Sequence, residues 1–144
     1  MNKLNLPEFE HKIQDNKIFD IIRKKWVKLT EEEWVRQNVI RYFTDNLEYP
    51  EYIIGVEKEI KVFETSKRPD IVIFGKDLKP KIIIECKKPE VNIDQKVFNQ
   101  AVNYFMTLNS EYFLLTNGIK HLFCKIEQKK CKFLNKIPKY KNLV

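Results

Sequence analysis

The 144-residue sequence is short of glycine, histidine and cysteine, and each shortage excludes a class of site. With three glycines it has no glycine-rich cofactor loop, and no GxxxxGK[ST] phosphate loop occurs, so we expect no ATP partner. The three cysteines form no CxxC pair, and only two histidines occur, which argues against a zinc site. We expect free thiols in a reducing compartment. No apolar run approaches the roughly 18 residues of a membrane span, and the first residues lack a signal-type stretch. We therefore expect a cytoplasmic protein that does not enter membranes.

What is present is typical of a globular protein with a basic surface. Hydrophobic residues make up 43% and charged residues 33% of the chain, and the net charge is +7. A positive balance favours polyanionic partners, because lysine and arginine release counterions when they meet phosphates. We expect residues 1–144 to form one domain, with a core over about 17–126 and a basic tail over 127–144.

Apolar spacing and turn residues predict an α/β domain in the order α-β-β-β-α-β-β. A polar arm and a short strand within Lys17–Leu29 precede a helix that Thr30 opens as a capping box with Glu33 and that ends near Asn46. This helix should turn four residues inward: Trp34, Val35, Ile40 and Phe43. A second helix is predicted over Ile93–Leu108. The predicted strands are Tyr52–Ile60, Asp70–Phe74, Lys81–Lys87, Tyr112–Thr116 and Ile119–Ile126, with a two-residue Asn117-Gly118 turn between the last two and one further short strand around Phe133.

The segment that suggests chemistry is RPDIVIFGKDLKPKIIIECKKP, residues 68–89. Asp70 begins one apolar strand, and Glu85 and Lys87 interrupt the end of the next. Side chains alternate along a strand, so Glu85 and Lys87 share a face and Cys86 points away. In an antiparallel hairpin, Asp70 lies on that face only if the two residue numbers of each cross-strand pair add up to an odd number. A shift of the register by one residue would turn the Asp70 side chain to the opposite face of the sheet.

Two carboxylates and an ammonium on one face suit phosphodiester hydrolysis. Asp70 and Glu85 offer an oxygen-rich seat for Mg²⁺, and the Cys86 carbonyl is an extra candidate ligand. Lys87 could orient or deprotonate the attacking water and stabilise the anionic phosphorus centre. The alternative is a structural ion pair at a strand end, with the lysine merely solvated.

Pro69-Asp70 followed by Glu85-Cys86-Lys87 resembles the PD-(D/E)XK nuclease signature. The wider sequence is similar to the N-terminal nuclease domain of type I restriction enzyme R subunits over about residues 17–126. Five segments carry this similarity: LTEEEWVRQ (29–37), RPDIVIF (68–74), IIIECKKP (82–89), QAVNY (100–104) and LLTNG (114–118). The resemblance implies a restriction-endonuclease-like fold, with a central mixed sheet flanked by helices, and Mg²⁺-dependent DNA cleavage. It maps metal ligation onto Asp70 and Glu85 and the catalytic lysine onto Lys87.

The resemblance also suggests supporting residues. Gln100 and Tyr104 match the QxxxY motif and share a helical face, although Tyr104 also fits the apolar stripe of its helix. Glu33 corresponds to an acidic residue that many of these nucleases contribute from the first helix, in competition with its capping role, and Glu57 is the alternative third carboxylate. Candidates for phosphate contact are Arg36, Arg68 and Lys88.

We therefore predict a Mg²⁺-dependent DNA endonuclease domain in which Mn²⁺ can replace Mg²⁺. The alternative from another class is a non-catalytic DNA-binding or assembly module of a restriction or defence system. A single site can cut both strands of a duplex only if two copies act together or one copy binds twice, so a homodimer is one possible partner besides DNA. The resemblance adds restriction-system subunits as further possible partners.

Overall fold

A computed structural model describes residues 1–143, and its centre is a six-stranded mixed sheet. The strands in chain order are β1 (Ile13–Gln14), β2 (Lys17–Asp20), β3 (Lys25–Lys28), β4 (Ile54–Val56), β5 (Ile60–Val62), β6 (Thr65–Lys67), β7 (Ile71–Phe74), β8 (Pro80–Cys86), β9 (Tyr112–Thr116), β10 (His121–Glu127) and β11 (Lys130–Leu134). The central sheet has the order β11-β10-β9-β8-β7-β4. Within it β8 and β9 are parallel, and the other neighbours are antiparallel.

Two helices cover opposite faces of this sheet, as the alternation of buried side chains requires. Helix α1 (Glu31–Arg41) continues as a π-helical turn (Tyr42–Asn46), and α2 (Gln95–Thr107) forms the crossover between the parallel strands. Short 3-10 turns lie at Glu51–Ile53 and Tyr140–Asn142. The α1 face buries Val35, Val39, Phe43, Ile71, Ile73, Ile82 and Ile84, and the α2 face buries Val72, Ile83, Phe105 and Phe113. The predicted class, an α/β domain with a central mixed sheet flanked by helices, is confirmed.

The hairpin of β7 and β8 has the register on which the predicted site depends. Ile71 pairs with Ile84, and Ile73 pairs with Ile82. The numbers of each pair sum to 155, so the register is odd and Asp70, one residue before β7, lies beside Glu85. The register shifts only between Ile73 and Phe74, at the far end of the hairpin.

The predicted strand Tyr52–Ile60 is confirmed only over Ile54–Val56, and its bounds are wrong. The chain forms the 3-10 turn, then only β4, and the ladder stops at Glu57, whose φ of 51° is incompatible with a strand. Ile60 instead begins a hairpin of β5 and β6 that the sequence pattern did not suggest. Likewise, the N-terminal region forms a three-stranded sheet of β1, β2 and β3 rather than one short strand.

The Asn117-Gly118 turn joins two antiparallel strands as predicted, but its loop has four residues rather than two. The Asn117 side chain explains the difference, because its Oδ1 accepts from the N–H groups of Ile119 and Lys120 and so closes a wider turn. The predicted strand around Phe133 is confirmed as β11. Val144, the last residue of the predicted tail, lies outside the described residues.

Helix α1 begins as predicted, with the Thr30 side chain accepting from the Glu33 N–H at 3.0 Å. Trp34 is only half-buried rather than inward, and its indole N–H donates to the Asn2 carbonyl. Neither helix, nor any other in residues 1–143, combines the length and apolar character that crossing a bilayer requires.

Candidate active site

Asp70 and Glu85 meet at the open end of the β7–β8 hairpin. The Asp70 backbone N–H donates to Glu85 Oε1 at 3.3 Å, and Asp70 Oδ2 accepts from the Cys86 N–H at 2.7 Å. The Asp70 carbonyl accepts from the Glu57 N–H at 3.0 Å, which ties the end of β4 to the same point. Three strand ends thus hold the two carboxylates beside each other.

The environment of Glu85 disfavours its charge. Burial raises the pKa of Glu85 to about 8, and the neighbouring Asp70 carboxylate adds to this rise. The Lys87 ammonium acts in the opposite direction and lowers the Glu85 pKa, so it lies near enough to interact with that carboxylate. Repulsion between two carboxylates is the property that a bound cation would relieve.

A cavity of about 250 Å³ lies between the end of β8 and α2. Glu85 and Lys87 line one side, and Gln100 and Tyr104 line the other, with Val97 and Ala101 completing the wall. Gln100 is exposed, whereas Tyr104 is half-buried. Burial raises the pKa of Tyr104 to about 12, with additional contributions from the charges of Glu85 and Asp70. The structure therefore brings the residues of the QxxxY match to the same cavity as Glu85 and Lys87.

Arg36 connects α1 to the acidic pair from the other face of the sheet. Its Nη2 donates to Asp70 Oδ1 at 3.0 Å, and its Nη1 donates to Glu33 Oε1 at 3.1 Å and to Glu57 Oε1 at 2.9 Å. Arg36 is only 6% exposed. Its guanidinium is directed at carboxylates rather than solvent. The phosphate contact by Arg36 stays a prediction.

Glu33 does not complete the predicted capping box, and its predicted role in the site stays a prediction. Its carboxylate does not reach back to cap the helix, because it accepts hydrogen bonds from Arg23, Arg36 and Gln37. Its link to Asp70 passes through Arg36. Glu57 is held in the same way, by Arg23 and Arg36, while its backbone contacts Asp70 directly.

The donor set fits a magnesium ion bound by few protein groups. Among residues 1–143, no cluster of three or more His, Cys, Asp or Glu side chains could hold a metal. Mg²⁺, however, is often held by one or two carboxylates together with water and substrate phosphate, which is what Asp70 and Glu85 offer. A carboxylate has about four acceptor positions, and Asp70 uses one on Arg36 and one on the Cys86 amide. The Cys86 side chain is buried in the α1 face.

The remaining candidates lie at the edge of the site. Arg68 is exposed, and Lys88 is exposed and paired with Glu90 at 3.1 Å. Arg23 was not predicted; it binds Asp20, Glu33 and Glu57 and so anchors the network behind Asp70. Lys67 was not predicted either; its Nζ lies 5.7 Å from the centroid of the Tyr104 ring. No local spacing signals these contacts, because the partners are distant in sequence.

An α/β sheet with an acidic pair and a lysine at one end of its central hairpin defines a domain of the restriction-enzyme-related, nuclease-like class. A sequence model of the type I restriction enzyme R protein N terminus matches residues 31–138, and the chain belongs to this family. The resemblance inferred from the five segments is thereby confirmed.

The chain is similar to several solved structures, two of which are as follows. One is a candidate nuclease of the DUF820 group from Anabaena variabilis, with 14% identity, a TM-score of 0.48, and coverage of 91% of this chain and 80% of that one. The other is the type IIG restriction endonuclease BpuSI, with 22% identity, a TM-score of 0.42, and coverage of 69% of this chain and 11% of that one. No curated protein matches the chain.

Proposed function

We propose that this domain is a Mg²⁺-dependent DNA endonuclease whose site consists of Asp70, Glu85 and Lys87, with Gln100 and Tyr104 across the cavity. The single observation that carries the proposal is the odd register of the β7–β8 hairpin, which places the two carboxylates side by side next to a cavity that Lys87 lines. Membership of the restriction enzyme family and the net charge of +7 support DNA as the substrate.

Asp70 and Glu85 would hold the metal. When bound, Mg²⁺ would polarise the scissile phosphate, activate a water molecule and neutralise charge on the leaving oxygen. Asp70 is pre-oriented for this task, because Arg36 and the Cys86 amide fix its two oxygens. Glu85 would release its proton on binding the cation, because the positive charge would offset the burial and the Asp70 repulsion that raise its pKa.

Lys87 lies on the Glu85 face, where its ammonium would orient the attacking water and stabilise negative charge on the phosphoryl oxygens. Its position is fixed from the backbone, since the Lys87 N–H donates to the Thr116 carbonyl at 2.8 Å. Gln100 and Tyr104 would bind the substrate backbone from α2: the amide offers both donors and acceptors, and the un-ionised phenol offers a donor.

The test is cleavage of supercoiled plasmid and linear duplex with Mg²⁺, Mn²⁺ or EDTA. Wild type should cut with either metal, and Asp70→Ala, Glu85→Ala and Lys87→Ala should each lose about 100-fold or more in rate. Matched controls are Asp45→Ala and Lys76→Ala, which remove an exposed carboxylate and an exposed ammonium outside the site.

Full activity in the Asp70 and Lys87 variants would remove the proposed site. DNA binding by wild type without cleavage under any metal would instead support the accessory DNA-binding module. A loss of cleavage in the control variants comparable to that in the site variants would point to general damage rather than to lost chemistry.

A further inference from the structure

The hairpin of β5 and β6 ends in an aromatic residue that the fold itself does not use. Phe63 is 100% exposed, and its φ of 56° lies in the left-handed region that bulky residues avoid. Val62 pairs with Thr65, so Phe63 and Glu64 form the two-residue turn, where glycine or asparagine is normally preferred. Neither burial nor backbone conformation favours phenylalanine here, and strained backbone of this kind is concentrated at ligand-binding sites.

The base of this hairpin is attached to the candidate active site. The Glu57 N–H, just before the hairpin, donates to the Asp70 carbonyl, and only two residues separate β6 from Asp70. Ile60 and Val62 pack partly buried against the α2 face of the core. The Lys67 ammonium lies above the Tyr104 ring, so the hairpin borders the cavity that contains Glu85 and Lys87.

The charge and length of the hairpin suit a nucleic-acid strand that leaves this cavity. Residues 60–68 contain three basic side chains, Lys61, Lys67 and Arg68, against one acidic side chain, Glu64. A strand rises about 3.3 Å per residue, and Lys67 pairs with Ile60, so Phe63 lies roughly 10 Å from Lys67 along the hairpin. This is a span of about two nucleotides, because successive phosphates of a strand lie several ångströms apart.

We propose that the β5–β6 hairpin is a DNA-binding element in which Phe63 stacks on a base of the substrate strand and Lys67 and Arg68 contact its phosphates. The inference rests on the proposed function, because it takes the strand cut at Asp70 and Glu85 as its ligand. Aromatic side chains bind base faces without strong sequence preference, and lysine or arginine beside them supplies the salt-dependent part of the affinity.

The experiment measures fluorescence anisotropy of a labelled 20-nucleotide single strand, with EDTA present, over a series of salt concentrations. Phe63→Ala should weaken binding roughly 5- to 100-fold at every salt concentration and leave the salt slope unchanged, because stacking releases no counterions. The double variant Lys67→Ala/Arg68→Ala should reduce the slope of log K against log salt by about 1.4. Tyr52→Ala is the matched control. Tyr52 is an aromatic residue that is 86% exposed, but it lies in the 3-10 turn before β4 and not in the hairpin, which follows β4.

Unchanged affinity in Phe63→Ala would overturn the proposal and would favour a protein partner for the hairpin. An equal loss in Tyr52→Ala would also overturn it, because the effect would not be specific to the hairpin. Plasmid cleavage by wild type in the same preparations separates the two hypotheses. If wild type cleaves and Phe63→Ala binds normally, only the hairpin proposal fails; if wild type does not cleave but its binding depends on Phe63, only the nuclease proposal fails.

Discussion

Arg36 carries the sharpest prediction about stability, because its guanidinium is shared by several carboxylates behind the active site. It contacts Glu33, Glu57 and Asp70 at 2.9–3.1 Å and Glu32 at 3.5 Å. Arg36→Met keeps an unbranched apolar stem but removes the cation. The carboxylates would then lie close together without the charge that holds them.

The burial of each partner decides how much this change costs. The Glu32 and Glu57 side chains are 47% and 44% exposed, so water screens their ion pairs and they contribute little. The Glu33 and Asp70 side chains are only 10% and 15% exposed, and the Arg36 side chain is 7% exposed. Removing one partner of a buried pair costs about 3–5 kcal/mol, and we expect Arg36→Met to lower the free energy of unfolding by that amount.

Urea unfolding monitored by tryptophan fluorescence at pH 7 measures this loss, with Arg41→Met as the matched control. Arg41 pairs with Asp45 at 2.8 Å and also donates to the Glu10 carbonyl, and the Arg41 and Asp45 side chains are 22% and 43% exposed, so its loss should cost about 1–2 kcal/mol. The loss of stability in Arg36→Lys should lie between those of Arg36→Met and Arg41→Met, because an ammonium keeps the charge but lacks the planar, forked geometry of the guanidinium. A loss below about 1 kcal/mol in Arg36→Met would refute the view that this network stabilises the fold.

Three further predictions concern pH and backbone. Glu85→Gln should remove a pH dependence of the free energy of unfolding. With EDTA present, wild type should lose stability relative to the variant as pH rises from about 4.5 to about 8. The reason is that burial and the Asp70 charge raise the Glu85 pKa in the folded state. Asp20 should contribute a pH dependence of stability with the opposite sign. Burial opposes its ionisation, but hydrogen bonds from Arg23 and Gln37 lower its pKa below 3.8, so the stability lost in Asp20→Asn at pH 7 should shrink as pH falls below about 4. Gly118→Ala should cost about 1–2 kcal/mol or more, because Gly118 has a φ of 86° and an added Cβ would lie 2.7 Å from Leu4 Cδ2.

Urea titrations at several pH values check the first two predictions, and thermal unfolding checks the third. Parallel pH profiles for wild type and Glu85→Gln would contradict the stated environment of Glu85. A difference between wild type and Asp20→Asn that does not shrink as pH falls below about 4 would contradict the assigned hydrogen bonds. A Gly118→Ala protein as stable as wild type would mean that the turn adjusts without strain.

The sequence predicted the acidic pair well because the features that determine it are local. Strand alternation and one hairpin register relate Asp70 to Glu85 across only 15 positions. The same reasoning found the start of α1 at Thr30, where a single side chain caps the helix. Patterns of period two or 3.6 contain this information directly.

The network behind the pair could not be predicted in this way. Arg36 reaches Glu57 across 21 positions and Asp70 across 34, and no periodicity links such partners. Arg36 therefore looked like a surface arginine available for phosphate, and Glu33 looked like half of a capping box. The β5–β6 hairpin was missed for a related reason: its turn carries Phe63 and Glu64 instead of the glycine or asparagine that signals a tight turn.

The short sequence separation between Asp70 and Glu85 also has a consequence for folding. The contact between Asp70 and Glu85 closes a loop of 15 residues, whereas the contact between Arg36 and Asp70 closes a loop of 34 residues. Closing the longer loop costs about 0.7 kcal/mol more in chain entropy. Local contacts of this kind tend to form early, so we expect the two carboxylates to meet before their compensating cation arrives from α1. If Asp70 and Glu85 bind Mg²⁺ as proposed, the ion would also offset their repulsion during refolding, before Arg36 is in place.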